Sequence, residues 1–242
     1  MAIFEKIKTM VRVGRTSRAG FLILAEITAG IVLALTTLWL FIAIADNVIE
    51  KETTTFDNNI QAAVYSLRSP AMTTAMFTIS SFGSKEFLFA ISLVIIAVLS
   101  LKNKRRNALT YTVILLASAG LNNLIKFAVH RNRPQLSPIE NASFFSFPSG
   151  HSMNSLVFYG LMAYFVWHYT KNKTLGATAY LFAIILVAAI GISRIYLGAH
   201  YPTDVLAGFV AGICVLSAAI AIDKTLELNR LLEKSKSSKP AS

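Results

Sequence analysis

Charge is what this sequence has least of. Only 14% of its 242 residues are Asp, Glu, Lys or Arg, against about 25% in an average soluble protein. A chain so poor in charge is not held open as a disordered polymer. Cysteine is nearly absent. Cys214 stands alone inside an apolar run, which excludes an internal disulfide and a cysteine-built zinc site and leaves it as a small lipid- or core-facing residue. Acids are scarcer than bases, 12 against 23, for a net charge of +11. In a soluble protein that surplus points to nucleic acid. Here the basic residues fall between long apolar runs, so membrane topology explains them and no nucleic-acid partner is expected. No internal repeat is present. Apolar residues make up 55% of the chain, above the roughly 45–50% of soluble domains. An integral membrane protein is the class that remains.

A spanning helix needs about 20 mostly apolar residues. Six such runs are expected: Phe21 to Ala45, Phe87 to Leu101, Ala108 to Ile125, Ser149 to Trp167, Leu175 to Ile192 and Thr203 to Ile222. The fold class is therefore all-α, an integral membrane bundle of six transmembrane helices over residues 21–222. A basic segment (1–20) precedes it and a basic tail (223–242) follows, irregular from Lys234 onward. The second run is short. Fifteen residues reach only about 22 Å, so it must extend back through Lys85 and Glu86 or the bilayer must thin. The first run follows Lys6, Lys8, Arg12, Arg15 and Arg18, as in a signal peptide. Its length of about 25 residues exceeds a signal h-region of about 7–15, so an uncleaved anchor is expected.

Six spans divide the Lys and Arg residues unequally. Sixteen lie in the two termini and in the loops after spans two and four. Seven lie on the other side: Lys51, Arg68, Lys85, Lys126, Arg131, Arg133 and Arg194. The richer side faces the cytoplasm, so both termini are expected there. The outer side carries a long segment, 46–85. Phe56, Ile60, Val64 and Leu67 recur in it at helical spacing, with Asp57, Asn58 and Gln61 between them. That pattern fits either a helix lying in the membrane interface or one packed on the bundle.

Ionisable residues near membrane depth are costly and usually functional. This chain gathers them at three outer span ends: Lys126 to Pro134, Phe147 to His151, and Ser193 to Asp204. Lys126, Arg133 and Arg194 form a cation surplus that calls for an anion, and arginine forks suit phosphate oxygens. Pro148 suits a helix start. The backbone N–H groups of Ser149, Gly150 and His151 would then face outward as a phosphate site, and Gly150 permits close approach. Phosphoryl transfer has work for two histidines, one to attack phosphorus and one to protonate the leaving oxygen. Asp204 follows His200 by four residues and can accept the imidazole's other N–H. His200 is therefore the better nucleophile and His151 the better general acid. His130 and His168 are read as structural. Glu26, inside the first run, is the only deep acid, expected to face the bundle or lie near the inner interface.

Lys126, Arg133 and Pro134, then Pro148, Ser149, Gly150 and His151, then Ser193, Arg194, His200 and Asp204 resemble the three-part signature of the type 2 phosphatidic acid phosphatase family at every position. The run Phe145 to Asn154 is similar to that of compact bacterial members of the phosphatidylglycerophosphatase and undecaprenyl-diphosphatase type. The resemblance implies a haloperoxidase-like helical bundle that removes phosphate from membrane lipid phosphates or diphosphates at the outer face of the inner membrane. It implies a phosphohistidine on His200 with help from Asp204, and a proton from His151. Phosphate contacts would come from Lys126, Arg133, Ser149, Gly150 and Arg194. No metal and no cofactor is implied: three cations do the work of a magnesium ion.

Three functions follow from this pattern. The first is a lipid phosphatase acting on phosphatidylglycerophosphate, phosphatidate, undecaprenyl diphosphate or a related lipid. The second is a phosphotransferase passing the phosphate to another lipid such as lipid A. The third is a lipid-phosphate transporter, which is expected to carry its charges near the bilayer midplane rather than at span ends. Oligomeric state does not follow from the pattern.

Overall fold

The structure is a computed structural model that describes residues 18–134, 145–170 and 172–237. The basic residues Lys6, Lys8, Arg12, Arg15, Lys171 and Lys239 lie outside these residues, as does the end of the tail, 238–242. Every regular element among the described residues is helical. The order is α1 (Arg18–Ile49), α2 (Thr54–Tyr65), α3 (Pro70–Ser81), α4 (Lys85–Leu101), α5 (Arg105–Val129), α6 (Gly150–Tyr169), α7 (Lys173–Tyr196) and α8 (Pro202–Ser237).

Among the described residues four helices are long and apolar enough to cross a membrane: α1, α5, α7 and α8. A fifth span results if α3 and α4, bent by 40° at residues 82–84, act as one. The expected second run does extend back to Lys85, where the Ser84 hydroxyl caps the helix by accepting from the Phe87 N–H. The expected fourth run forms α6, but α6 is not apolar enough to count as a span by composition. Its turns carry His151, Ser152, Asn154, Ser155, Tyr159 and Tyr164. The reason is its position. Met153, Val157, Phe158, Leu161 and Ala163 are all buried, and α4, α5 and α7 pack around it. A helix sheathed by others answers to protein neighbours rather than to lipid. The last helix runs beyond Ile222 to Ser237, so regular structure extends into the segment expected to be an irregular tail.

The chain divides into two compact units. One combines residues 18–36 with 214–237. There Ile23 packs with Leu228 and Leu232, and Gly30 lets α1 approach α8, since a Cβ at residue 30 would lie 3.1 Å from the Ala221 Cβ. Glu26 is the acid partner of the buried Lys224, whose ammonium lies 2.9 Å from it and 3.2 Å from Glu227. The Cys214 thiol points to the Ala34 carbonyl at 3.4 Å.

The other unit, Thr37–Ile213, holds all three motif segments. In it α6 packs on α7, and α2 and α3 pack on α7 as well. The 46–85 segment is thus part of the bundle. Its orientation departs in part from the amphipathic expectation: Asp57 and Gln61 are buried and Ile60 and Val64 half-buried, while Phe56, Asn58 and Leu67 are exposed. The Arg68 guanidinium closes the segment by donating to the Tyr196 carbonyl at 2.7 and 3.0 Å, satisfying the end of α7. The start of α8 meets the start of α6 through Gly208. A Cβ there would sit 2.7 Å from the Ser149 carbonyl oxygen and 2.9 Å from the Ser152 Cβ.

Glycine 208 therefore sets the spacing between the second and third motif segments. Gly208→Ala is expected to destabilise the protein by about 1–3 kcal/mol through overpacking. Gly120→Ala, where a Cβ meets nothing within 4 Å, is expected to be neutral or stabilising by up to about 1 kcal/mol. Thermal unfolding of both variants in detergent compares them, and equal midpoints would contradict the packing account.

Candidate active site

The site is built from helix ends. Lys126 lies in the last turn of α5 and Arg194 in the last turn of α7, while His151 and Asp204 lie in the first turns of α6 and α8. His130, in the left-handed region at φ 53°, ends α5 and turns the chain toward Arg131 and Arg133. Its ring packs edge-on against Phe145 at 4.5 Å, a structural place in keeping with the sequence reading. His168 stacks on Tyr164 at the far end of α6.

Lys126 and Arg194 are buried and held by neutral groups, and Arg133 is half-buried. Lys126 is 7% exposed, and its ammonium donates to the Phe145 and Ser146 carbonyls at 2.9 and 3.2 Å. Two of its three hydrogens are thus used within the protein. Arg194, also 7% exposed, donates to the Ser80 hydroxyl at 2.6 Å, and its buried Nε finds no acceptor. Arg133 donates to the Ala199 carbonyl at 2.6 Å. Burial lowers its pKa, and Asp204 only partly offsets this. The charges of Lys126, Arg133 and Arg194 and the ring of His200 all act on His151, so the three segments converge as expected.

Two of the expected backbone donors remain at the start of α6. Ser149 is the N-cap, and its N–H donates to the Asp204 carbonyl at 2.9 Å. That N–H does not face outward as expected, because it joins α6 to α8. The Ser149 oxygen accepts from the Ser152 N–H and hydroxyl, which leaves its own hydroxyl hydrogen to donate. The N–H groups of Gly150 and His151 lie in the first turn, where no intrahelical partner exists. Asn122 of α5 backs this turn: a Cβ on Gly150 would lie 3.0 Å from its Oδ1. On the other side Gly83, at the bend between α3 and α4, borders His151. A Cβ there would lie 3.3 Å from the imidazole Cδ2 and 2.6 Å from the Ile190 side chain.

His200 lies between α7 and α8 and is 2% exposed. Its Nδ1 faces the Asp204 carboxylate at 3.5 Å. That distance is loose for a hydrogen bond, and Nδ1 has no other acceptor. Burial lowers the His200 pKa to about 3, outweighing the opposing pull of Asp204. The imidazole is therefore neutral at pH 7. The tautomer that points Nδ1–H at Asp204 leaves the lone pair on Nε2.

Sequence reasoning gave no role to two residues at this site. Arg131 donates from one guanidinium nitrogen to Asp204 Oδ1 at 2.6 Å and from the other to Asp57 Oδ2 at 2.6 Å. Burial works against its charge, but Asp204 and Asp57 outweigh it and raise its pKa. Asp57 is 1% exposed and also accepts from the Thr203 N–H at 2.9 Å and hydroxyl at 2.7 Å. The available signal was an acid on an outer helix opposite a cation surplus, and no spacing rule links residues 57, 131 and 204. Among the described residues, no group of three or more His, Cys, Asp or Glu side chains is placed to hold a metal ion.

Known proteins are similar to this chain in sequence and in fold. The family model described as the PAP2 superfamily matches residues 107–227. Phosphatidylglycerophosphatase B of Bacillus subtilis (strain 168) is 32% identical over 175 residues, covering 71% of this chain and 85% of the relative. The putative undecaprenyl-diphosphatase YbjG of Escherichia coli (strain K12) is 27% identical over 172 residues, covering 67% and 82%. The crystal structure of a transmembrane PAP2 type phosphatidylglycerolphosphate phosphatase from Bacillus subtilis superposes with a TM-score of 0.75 at 29% identity, covering 80% of this chain and 96% of that one. With its three motif segments inside the matched region and its helical fold shared across four-fifths of its length, the chain belongs to the PAP2 superfamily of membrane lipid phosphatases.

Proposed function

We propose that this protein hydrolyses a phosphomonoester or diphosphate of a membrane lipid through a phosphohistidine on His200. The observation that carries the reading is the buried imidazole of His200 facing Asp204 at 3.5 Å, beside Arg133, Arg194 and a second histidine. A lipid phosphate enters with its oxygens toward Lys126, Arg133, Arg194 and the first turn of α6 at Ser149 and Gly150. Nε2 of His200 attacks phosphorus as the bond to the lipid oxygen breaks. His151 donates a proton to that oxygen, and Asp204 stabilises the charge that develops on the His200 ring. Water then attacks the phosphohistidine, His151 takes a proton from it, and inorganic phosphate leaves. The cations stabilise charge on the transferring phosphoryl group without a metal ion.

Phosphatidylglycerophosphate and undecaprenyl diphosphate are the substrate classes that the relatives' names favour, and phosphatidate is a third that the family resemblance implies. Charges at helix ends rather than mid-helix favour chemistry over transport. The unequal distribution of Lys and Arg favours a six-span bundle in which α4 and α6 also cross. Its site then lies at the extracytoplasmic face of the bacterial inner membrane, with both termini in the cytoplasm.

Phosphate release by the purified protein in detergent, with excess EDTA, tests the reading on a panel of these lipids. Release is expected to survive chelation, to fall at least about 1,000-fold in His200→Ala, and to fall steeply in His151→Ala. Near-normal turnover by a folded His200→Ala variant would contradict the mechanism. The depressed His200 pKa gives a second expectation. A base whose pKa is lowered keeps its neutral form until the pH falls through the lowered value. The His200 ring signals in the NMR spectrum of the substrate-free protein are therefore expected not to titrate between about pH 8 and 5, whereas a midpoint near the ordinary value of about 6.5 would contradict it.

A further inference from the structure

Asp204 cannot aim at His200 unaided. It lies in the first turn of α8, with only Tyr201, Pro202 and Thr203 between it and His200. Its Oδ2 accepts from the Tyr201 N–H at 2.9 Å and faces the imidazole, while its Oδ1 is taken by Arg131. The direction of the carboxylate is thus set by where Arg131 stands. Arg131 is placed in turn by Asp57, by the Thr203 hydroxyl at 2.8 Å and by the Tyr201 ring, 4.2 Å below the guanidinium carbon. Asp57 also ties the first turn of α8 directly, accepting from the Thr203 N–H as a helix cap supplied from another helix. It belongs to α2, outside the region that the family model matches.

We infer that Asp57 and Arg131 are positioning residues for catalysis, a relay from α2 that orients Asp204 on His200 and balances its charge. The relay rests on the proposed role of His200. Charge is the reason it needs two acids. One guanidinium facing a single carboxylate would draw that carboxylate's charge away from the imidazole. Shared between Asp57 and Asp204, the same guanidinium leaves one net negative charge in the cluster, and Oδ2 of Asp204 carries it toward His200 as the ring becomes cationic. Arg131 is spent on carboxylates, so it is not a phosphate ligand, although it lies only two residues from Arg133.

The test is steady-state kinetics of the full chain in detergent, on whichever lipid of the panel the wild type turns over fastest, with melting midpoints to establish folding. Asp57→Asn is expected to lower kcat by about ten- to a hundredfold with KM within about twofold. Added to Asp204→Asn, it is expected to cost less than about twofold more, because it acts only through Asp204. Thr203→Val removes one hydroxyl from the cluster and leaves no charge unpaired. It is expected to lower kcat by about three- to tenfold, and it decides the matter alone if Asp57→Asn does not fold. Three results would overturn the relay: kcat within twofold of wild type in the folded variant, a loss carried by KM, or multiplying losses in the double variant. In those cases an inactive His200→Ala would leave the phosphatase reading standing. A wild type silent on every lipid would overturn both.

Discussion

A fully buried carboxylate is tolerated only where donors surround it, and Asp204 is 0% exposed. Its solution joins the three motif segments. Its side chain takes Arg131 from the segment after α5, its backbone carbonyl takes the Ser149 N–H at the start of α6, and its second oxygen faces His200. Much of the surrounding fold serves this junction. Gly208 lets α8 come close enough to α6 for the Ser149 contact, and Asp57 brings α2 in to complete the charge balance. Arg68 fastens the end of the same α2 to the last carbonyl of α7.

The cations follow a different rule. Lys126 and Arg194 are held by carbonyl and hydroxyl oxygens rather than by acids. Neutral partners fix direction without cancelling charge, so their positive field is kept for a ligand. Arg131 lies between two acids and is neutralised. The chain thus sorts these three cations into two jobs by the partners it gives them. This sorting takes place at helix ends, where first-turn N–H groups already favour an anion.

Most of the site was legible in the sequence because it rests on local spacing. Lys126 and Arg133 are seven apart, His200 and Asp204 four, and Ser149 to His151 are contiguous, so each local arrangement is set within a few residues of a helix end. Asp57 was not legible in the same way. Its partners lie 74 and 146 positions away, and its helix reads as amphipathic with an apolar face for packing. In the fold that helix buries Asp57, paired with Arg131, and Gln61. The span count fell short for a related reason. Hydropathy measures fitness for lipid, and α6 is surrounded by protein, so its serines and tyrosines report its neighbours rather than its depth.

The central claim is that phosphorus passes through His200. The most direct measurement is transfer of label from a 32P-labelled lipid phosphate to the full-length protein, quenched in alkali to preserve phosphohistidine and mapped by peptide mass spectrometry. The account predicts label on His200 during turnover and none in His200→Ala. Steady turnover with no labelled protein, or label on a different residue, would contradict it.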